Sequence, residues 1–290
     1  MPTAGTAPDT PDDRAGASEE DHRLATKLAT RAGVLLIELR REYGFDVSNE
    51  ASGAGPAVAD ALRAQGDRLA HEFLAGALAE ARPGDAVLSE EAPDDHRRLH
   101  ADRVWIVDPL DGTRQFGEAG RSDWAVHVAL VIGGVPVAGA VALPAEGITL
   151  STADPHLLPS LPPATSEGRA GRRRRVIASR SRPGSDARVV AAALDAELVA
   201  LGSVGAKVAQ VIRGRVDAYV HSGGQSEWDS AAPVAVALAC GLHASRLDGR
   251  PLRYNQPDVE LPDLLICRPE IAEAALAAAA HLGTPSSRPG

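Results

Sequence analysis

Aromatic residues and cysteine are scarce in this sequence of 290 residues, and basic residues are outnumbered by acidic ones. Aromatic residues make up 3% of the chain, so the core must be built mainly from Ala, Val, Leu and Ile. The two cysteines, Cys240 and Cys267, lie far apart in apolar contexts, which argues against a disulfide framework and against a cysteine-based zinc site. The net charge of −9 disfavours binding to nucleic acid polymers or anionic membranes, because both require a basic face.

We predict neither a membrane-spanning helix nor an export signal. The segment from Trp124 to Leu143 is apolar over roughly the length that a spanning helix needs, but Gly133–Pro136 interrupts it and His127 lies inside it. We interpret this segment as a buried β-hairpin. Residues 1–20 are rich in Pro, Thr, Ala and Asp without a basic or apolar leader, so we expect a disordered tail and a cytoplasmic protein.

Hydrophobic spacing predicts two helices and then a mostly antiparallel sheet in the first half of the chain. The helices are expected at Asp21–Arg41 and Ala57–Ala81, with a loop at Ser48–Gly55 between them. The predicted strands are Ala86–Leu88, Val104–Val107, Ala125–Ile132 and Val135–Leu143.

The second half alternates between strand-like and helix-like segments, as in α/β layers. Strands are predicted at Arg175–Ala178, Leu198–Leu201, Val216–Val220 and Leu264–Cys267, and helices at Asp186–Leu194, Val204–Arg213, Asp229–Cys240 and Glu270–Leu282. The Pro- and Ser-rich stretch Asp154–Gly171 separates the halves. We therefore predict sub-domains at 21–160 and 161–282 and a disordered tail at 283–290.

Acidic residues cluster at three places where a predicted strand or helix begins or ends. Asp108 and Asp111 follow a buried strand, and Pro109 and Gly112 impose a sharp turn between them and Thr113. This turn directs both carboxylates and the Leu110 carbonyl to one place, which provides the oxygen ligands that Mg²⁺ prefers. Glu90-Glu91 follows another strand, and Glu227-Trp228-Asp229 begins a helix. Taken singly, these segments also fit a surface turn, a solvated loop and a helix N-cap.

Together, these segments resemble the motifs of the inositol monophosphatase superfamily, whose members are Mg²⁺-dependent, lithium-sensitive phosphatases. The resemblance rests on Glu90-Glu91, on Asp108–Thr113 and on Trp228-Asp229-Ser230-Ala231-Ala232, and it spans roughly residues 20–268. The segments at 178–182, 202–207 and 247–252 are most similar to the CysQ-type 3′(2′),5′-bisphosphate nucleotidases. The implied fold is an α+β to α/β sandwich of two sub-domains, layered α-β-α-β(-α) as in sugar phosphatases.

The resemblance assigns a role to each acidic residue. Glu90, Asp108 and the Leu110 carbonyl would bind one Mg²⁺, and Asp108, Asp111 and Asp229 a second. A third, weakly held ion would again touch Glu90. Asp67 and Thr113 would position and deprotonate the attacking water, although Leu62–Gly66 departs from the family's polar lead-in to Asp67.

The phosphate and the rest of the substrate are assigned to a second group of residues. The backbone N–H groups of Gly112 and Thr113 are expected to bind a phosphate oxygen, and an ordinary helix N-cap is the alternative role for Thr113. The resemblance suggests that Lys207 contacts the nucleotide, whereas a surface lysine on that helix is the alternative. The predicted substrate contacts are Ser179, Arg180, Gly202, Ser203 and Lys207.

Two further basic segments have simpler interpretations. Arg172–Arg175 fits an anion site, but a solvated charge run beside a linker explains it better. His127 alternates within an apolar strand, which favours a satisfied core histidine over a ligand.

The expected activity is removal of the 3′-phosphate from adenosine 3′,5′-bisphosphate, giving AMP, in the context of sulfate assimilation. Hydrolysis of inositol phosphates or fructose 1,6-bisphosphate is an alternative with the same metal ligands, and a catalytically silent ligand sensor is a more distant one. The expected partner is a small phosphorylated nucleotide, with neither a nucleic acid polymer nor a membrane, and the family often forms homodimers.

Overall fold

The computed structural model describes residues 16–45, 55–155, 173–180 and 184–280. Its helices are α1 Glu19–Glu42, α2 Pro56–Ala81, α3 Thr113–Phe116, α4 Ser185–Ala193, α5 Val204–Ile212, α6 Glu227–Ala239 and α7 Pro269–Ala280. Its strands are β1 Ala86–Ser89, β2 Arg103–Asp111, β3 Ala125–Ile132, β4 Val135–Leu143, β5 Ile148–Ser151, β6 Arg174–Ser179, β7 Ala196–Leu201, β8 Ala218–Ser226, β9 His243–Ser245 and β10 Glu260–Cys267. Short 3₁₀ helices occur at His96–His100 and Pro144–Glu146.

The strands form two five-stranded sheets, one from each half of the chain. The first sheet has the order β1-β2-β3-β4-β5, with β1 parallel to β2 and every other neighbouring pair antiparallel. The second has the order β7-β6-β8-β10-β9, in which β6 runs parallel to β7 and β8 while β10 runs antiparallel to β8 and β9.

Helices and sheets stack in five layers. Helices α1 and α2 cover one face of the first sheet, and α5 and α6 lie between the two sheets. Helices α4 and α7 cover the outer face of the second sheet. Apolar faces on both sides of each sheet are thereby removed from water, which is what drives this arrangement. The predicted α-β-α-β-α sandwich is confirmed.

The apolar segment Trp124–Leu143 forms the predicted hairpin of β3 and β4. Gly133 and Gly134 connect the strands with φ values of +56° and +79°, a conformation that favours glycine at both positions. None of the helices in the described part of the chain combines the length and the apolar character needed to span a bilayer.

Helix α1 begins earlier than predicted. Ser18 accepts a hydrogen bond from the Asp21 backbone N–H, and the acidic first turn Glu19–Asp21 suits the positive end of the helix dipole. Residues 19 and 20 are therefore helical, and the predicted tail of residues 1–20 is too long. Residues 1–15 and 281–290 lie outside the described residues, as does most of the predicted loop at 48–55.

The sub-domain boundary remains a prediction, because residues 156–172 lie outside the described part of the chain. Two short strands, β5 and β9, were not predicted, and β8 extends well beyond the predicted Val216–Val220.

Candidate active site

An irregularity at the end of β2 brings Asp108 and Asp111 to the same side of the first sheet. The strand does not end at Val107 as predicted but continues to Asp111. Asp108 pairs with His127 and Asp111 with Ala125, so three residue steps on β2 match two on β3. Residues three apart in a regular strand face opposite sides, and the extra residue of such a bulge cancels that alternation. Pro109 has no N–H to pair, which suits it to a bulge.

Asp229 joins these two carboxylates from the layer between the sheets. It lies in the first turn of α6, where its Oδ2 accepts a hydrogen bond of 2.6 Å from the Ser226 backbone N–H. Asp108, Asp111 and Asp229 each offer one oxygen atom such that these atoms all lie within 4.8 Å of one another. Three carboxylates from residues far apart in the sequence therefore converge on one point.

Glu90 reaches the same cluster from the neighbouring strand. Strands β1 and β2 are parallel, so their C-terminal ends meet at one edge of the sheet, and the Glu90 backbone N–H lies 3.4 Å from the Val107 carbonyl oxygen. Its carboxyl group lies close enough to that of Asp108 for each to shift the pKa of the other. Glu90 therefore lies next to Asp108, at the edge of the group formed by Asp108, Asp111 and Asp229.

Burial and mutual repulsion raise the pKa of three of these acids. Burial raises the pKa of Asp108 well above its ordinary range, and the charges of Glu90, Asp111 and Asp229 add to the effect. Burial likewise raises the pKa of Glu90 to about 7, with Asp229, Glu91 and Asp111 contributing. Burial and the charge of Asp111 raise the pKa of Asp229 to about 6. A divalent cation relieves the cost of holding such charges together.

Asp111 differs from its neighbours because it is well supplied with partners. Its Oδ2 accepts hydrogen bonds from Ser203 Oγ at 2.5 Å and from the Gly205 backbone N–H at 2.7 Å. His127 Nε2 lies 3.3 Å from the same oxygen. Burial acts to raise the pKa of Asp111, but His127, Lys207 and Ser203 outweigh it and lower the pKa to about 2. Asp111 is therefore ionised and held in one orientation, with Oδ2 already occupied by donors.

Thr113 and Asp67 form the contact predicted for a pair that activates water. Thr113 Oγ1 lies 3.1 Å from Asp67 Oδ1 and 3.0 Å from the Leu110 carbonyl oxygen. A Cβ atom on Gly66 would lie 2.6 Å from Phe116, so this glycine lets α2 approach α3 closely. The unusual lead-in to Asp67 thus has a packing reason. Burial, together with the charge of Glu91, raises the pKa of Asp67 to about 6.

Gly112 is the residue that caps α3. Its φ of +88° lies in the left-handed region that favours glycine, and its own carbonyl accepts from the Phe116 backbone N–H. The alternative reading of Thr113 as an N-cap is wrong, since Thr113 is the first helical residue. The predicted binding of phosphate by the N–H groups of Gly112 and Thr113 remains a prediction.

The predicted substrate contacts lie at the ends of two parallel strands of the second sheet. Ser179 is the last residue of β6 and Arg180 follows it, while Gly202 and Ser203 follow β7. The Arg180 backbone N–H donates to the Leu201 carbonyl at 3.1 Å. Lys207 is only 4% exposed, so the surface-lysine alternative is wrong.

Lys207 has its own set of interactions inside the protein. Its Nζ donates to the Gly202 carbonyl at 2.9 Å and lies 5.3 Å from the centre of the Tyr219 ring, and burial lowers its pKa to about 8. In the basic run, Arg173 pairs with Asp195 and Arg175 with Glu197, as expected of a solvated surface. Arg172 lies outside the described residues.

Sequence reasoning missed the parts that His127 and Asp123 play here. His127 is fully buried, as predicted, but it contacts Asp111 and its Nδ1 lies 3.2 Å from the Trp228 carbonyl oxygen. His127 pairs with Asp108 in the register of β2 and β3, which only the structure shows. Asp123 accepts a hydrogen bond of 2.9 Å from the Gly202 backbone N–H and so joins the two halves of the chain.

Comparison with known proteins finds related sequences and folds. The model of the inositol monophosphatase family matches residues 18–283. A protein of Mycobacterium leprae (strain TN) named 3′-phosphoadenosine 5′-phosphate phosphatase is 50% identical over 261 residues, which cover 87% of this chain and 90% of the relative.

Solved structures show the same arrangement of layers. CysQ from Bacteroides thetaiotaomicron, described as a bacterial member of the inositol monophosphatase family, is 26% identical with a TM-score of 0.68, over 86% of this chain and 97% of that chain. Inositol monophosphatase II from Staphylococcus aureus MSSA476 shares the fold at 20% identity, with a TM-score of 0.72 over 93% of this chain and 100% of that chain.

Proposed function

Because the chain belongs to the inositol monophosphatase family, we propose that it is a Mg²⁺-dependent phosphomonoesterase that hydrolyses the 3′-phosphate of adenosine 3′,5′-bisphosphate to give AMP and inorganic phosphate. The observation that carries the chemistry is the convergence of the Asp108, Asp111 and Asp229 oxygens within 4.8 Å, next to the Thr113–Asp67 contact. The choice of a nucleotide is supported by the name of the 50% identical relative.

The carboxylate cluster fits Mg²⁺ by its chemistry. All of its side-chain donors are hard oxygen atoms, and three of the four acids have raised pKa values that a bound cation would lower again. Glu90, Asp108 and the Leu110 carbonyl would hold one ion, and Asp108, Asp111 and Asp229 a second, with a third near Glu90. When bound, these ions supply charge neutralisation for the phosphate and acidify a coordinated water.

Thr113 and Asp67 would take the proton from the attacking water. The Thr113 hydroxyl has one proton to donate and two acceptors within reach, Asp67 Oδ1 and the Leu110 carbonyl. If the Leu110 carbonyl were a metal ligand, the Thr113 hydroxyl would donate to Asp67 and could accept a hydrogen bond from the attacking water. Asp67, whose pKa is about 6, is ionised at neutral pH and can serve as the final proton acceptor.

Gly112 and Thr113 would hold the phosphate. The left-handed turn at Gly112 leaves no side chain between the backbone and an approaching phosphate oxygen. Arg180 and the turn at Gly202–Lys207 are our candidates for contacts to the rest of the nucleotide. The intact set of acids argues against a catalytically silent ligand sensor.

A comparison of substrates tests the proposal. The purified protein with Mg²⁺ is expected to release phosphate from adenosine 3′,5′-bisphosphate with a higher kcat/KM than from inositol 1-phosphate or fructose 1,6-bisphosphate. A clear preference for inositol phosphate or fructose bisphosphate would replace the nucleotide with that substrate. Absence of phosphate release from all three would contradict the assignment as a phosphatase.

The proposal includes the pathway, the cellular compartment and the oligomeric state. Clearance of adenosine 3′,5′-bisphosphate belongs with sulfate assimilation in the cytoplasm, and the homodimer common in the family is the expected assembly. Deletion of the gene is expected to raise the cellular concentration of this nucleotide, and light scattering on the purified protein is expected to give the mass of a dimer.

A further inference from the structure

A pocket of about 430 Å³ lies beside the candidate active site, and its walls come from both halves of the chain. Arg114, Gln115 and Glu118 line it from α3 and the residues that follow, and Arg180 and Gly202 line it from the ends of β6 and β7. Arg114 directly follows Thr113, so the pocket and the predicted phosphate site share one short segment.

The pocket and that segment are also in direct contact through Gln115 and Gly202. A Cβ atom on Gly112 would lie 3.2 Å from Gln115 Oε1 and 3.2 Å from Ser203 Cβ. A Cβ atom on Gly202 would lie 2.6 Å from Gln115 Cδ, so no side chain fits at that position. A molecule bound at Gly112 and Thr113 would therefore lie directly beside this pocket.

Two arginine side chains of the pocket form a small anion site, and a carboxylate of the protein itself occupies it. The Glu118 carboxylate lies between two guanidinium groups, with Oε1 3.3 Å from Arg114 Nε and Oε2 3.8 Å from Arg180 Nη2. Phosphate binds guanidinium groups in the same way as carboxylate does. All three side chains are partly exposed, at 73%, 36% and 35% for Arg114, Arg180 and Glu118, so they can rearrange around a ligand.

We propose that this pocket binds the second, non-reacting phosphate of a bisphosphate substrate, that Arg114 and Arg180 are its ligands, and that Glu118 competes with the substrate for both guanidinium groups. The proposal rests on the proposed function, since only a bisphosphate presents two phosphates at once. The proposal adds a site that selects bisphosphates over monophosphates. It also adds a side chain, Glu118, that weakens the binding of bisphosphates.

The competition gives the three residues effects of opposite sign. Loss of either arginine removes a charge-assisted contact to phosphate and weakens binding of the bisphosphate. Loss of the Glu118 charge frees both arginines and strengthens binding of the bisphosphate. If these side chains only supported the local structure, substitution of any of the three would weaken binding of the bisphosphate.

The test compares two nucleotides that differ only in the second phosphate. KM and kcat for adenosine 3′,5′-bisphosphate and adenosine 3′-monophosphate are measured for the wild type and for Arg114→Gln, Arg180→Gln and Glu118→Gln. Arg97→Gln is the matched control, because Arg97 is 91% exposed and pairs with Asp95 on the surface. Binding of AMP, which retains the second phosphate, is measured by calorimetry on the same proteins.

Each arginine variant is expected to raise KM for the bisphosphate about tenfold, the loss of one charge-assisted hydrogen bond, and to leave the monophosphate within about twofold of wild type. Glu118→Gln is expected to lower KM for the bisphosphate about threefold and to tighten AMP binding, with no effect on the monophosphate. Arg97→Gln is expected to leave KM and kcat for both nucleotides unchanged.

A higher KM for the bisphosphate in Glu118→Gln, or equal effects of the arginine variants on both nucleotides, would overturn the proposal. If the wild type hydrolyses neither nucleotide, the proposed function fails, and AMP binding then decides the pocket separately. Tighter AMP binding by Glu118→Gln with weaker binding by Arg180→Gln supports the anion site, and unchanged AMP binding in all variants rejects it.

Discussion

Ser203 donates a hydrogen bond of 2.5 Å to Asp111 Oδ2, which joins the turn after β7 to a predicted metal ligand at the end of β2. Ser203 has a φ of +30°, a conformation that is uncommon for a residue with a side chain, and is 8% exposed. Backbone strain of this kind persists where the surroundings enforce it, and it is concentrated at functional sites. Ser203 was predicted to contact the substrate, and in the structure its hydroxyl donates to Asp111.

Removal of this hydroxyl is expected to weaken Mg²⁺ binding. Ser203→Ala removes one of the donors that orient Asp111 Oδ2 and leaves the Gly205 backbone N–H and His127 in place. Loss of a residue that orients a metal ligand typically costs about 10–100-fold in metal affinity. Ser203→Gly should weaken Mg²⁺ binding equally while relieving the strained backbone, so its melting temperature is expected to exceed that of Ser203→Ala. Calorimetric titration with Mg²⁺ and thermal unfolding measure both effects. Unchanged Mg²⁺ affinity with a raised KM would mean that Ser203 contacts the substrate instead.

Arg40 supports the segment that follows Thr113. It is 1% exposed, donates to the carbonyls of Arg121 and Glu118 at 2.8 and 3.0 Å, and lies 5.6 Å from the ring centres of both Phe116 and Trp124. Removing it would leave two partly buried carbonyl groups without these donors and an arginine-sized gap against Phe116 and Trp124.

Arg40→Met is therefore expected to lower the free energy of unfolding by about 3 kcal/mol, whereas Arg41→Met, at an exposed neighbouring position, should change it by less than ~0.5 kcal/mol. Urea denaturation of both variants provides the measurement. Equal stability of the two variants would show that Arg40 does not support the loop.

The stability of the metal-free protein is expected to fall as pH rises from about 4 to 7. In the folded chain the pKa of Glu90 is about 7, against an ordinary value of 4.5, and that of Asp229 is about 6, against 3.8. The folded state therefore binds more protons than the unfolded state across this range, so its advantage is lost as pH rises through the folded pKa values. Asp111, with a folded pKa of about 2 against an ordinary 3.8, has the opposite effect, but only below about pH 5, where the unfolded state still binds a proton there.

Mg²⁺ reverses this trend, because it binds the ionised carboxylates. Thermal unfolding with EDTA and with Mg²⁺ at pH 5 and pH 8 tests it, and the rise in melting temperature caused by Mg²⁺ is expected to be larger at pH 8. An equal rise at both pH values would be inconsistent with buried acids that release protons when the metal binds.

Asp67→Asn separates proton transfer from metal binding. Loss of a general base typically costs ~10²- to 10⁴-fold in rate, so kcat is expected to fall by at least ~100-fold while Mg²⁺ affinity stays close to wild type. In the wild type, kcat/KM should decline as pH falls below about 6, where Asp67 becomes protonated. An unchanged kcat would remove Asp67 from the mechanism, and lost Mg²⁺ affinity would make it a ligand.

The sequence allowed the main elements to be predicted because they leave local signals, whereas the convergence of Glu90, Asp108, Asp111 and Asp229 was predicted from the resemblance to a family. Strands β3 and β4 were predicted with their observed bounds, since their apolar runs are long and glycines mark the turn. Strands β5 and β9 were missed, since runs of 4 and 3 residues carry too little pattern.

The hydrogen bonds that join the two halves of the chain could not be predicted. The Ser203–Asp111 and Gly202–Asp123 hydrogen bonds join residues 92 and 79 positions apart, and no local pattern encodes such pairs. The burial of Lys207 is of the same kind, because it depends on how α5 packs between the sheets. Tertiary packing, and not local propensity, decides these positions.

Mg²⁺ titration of Asp108→Asn, beside the wild type, tests the central claim that the converging carboxylates bind the metal on which hydrolysis depends. Asp108 is expected to serve both ions, so the variant should show no heat of Mg²⁺ binding in the range that saturates the wild type and should not release phosphate from adenosine 3′,5′-bisphosphate. Wild-type Mg²⁺ binding together with wild-type turnover in the folded variant would contradict the account.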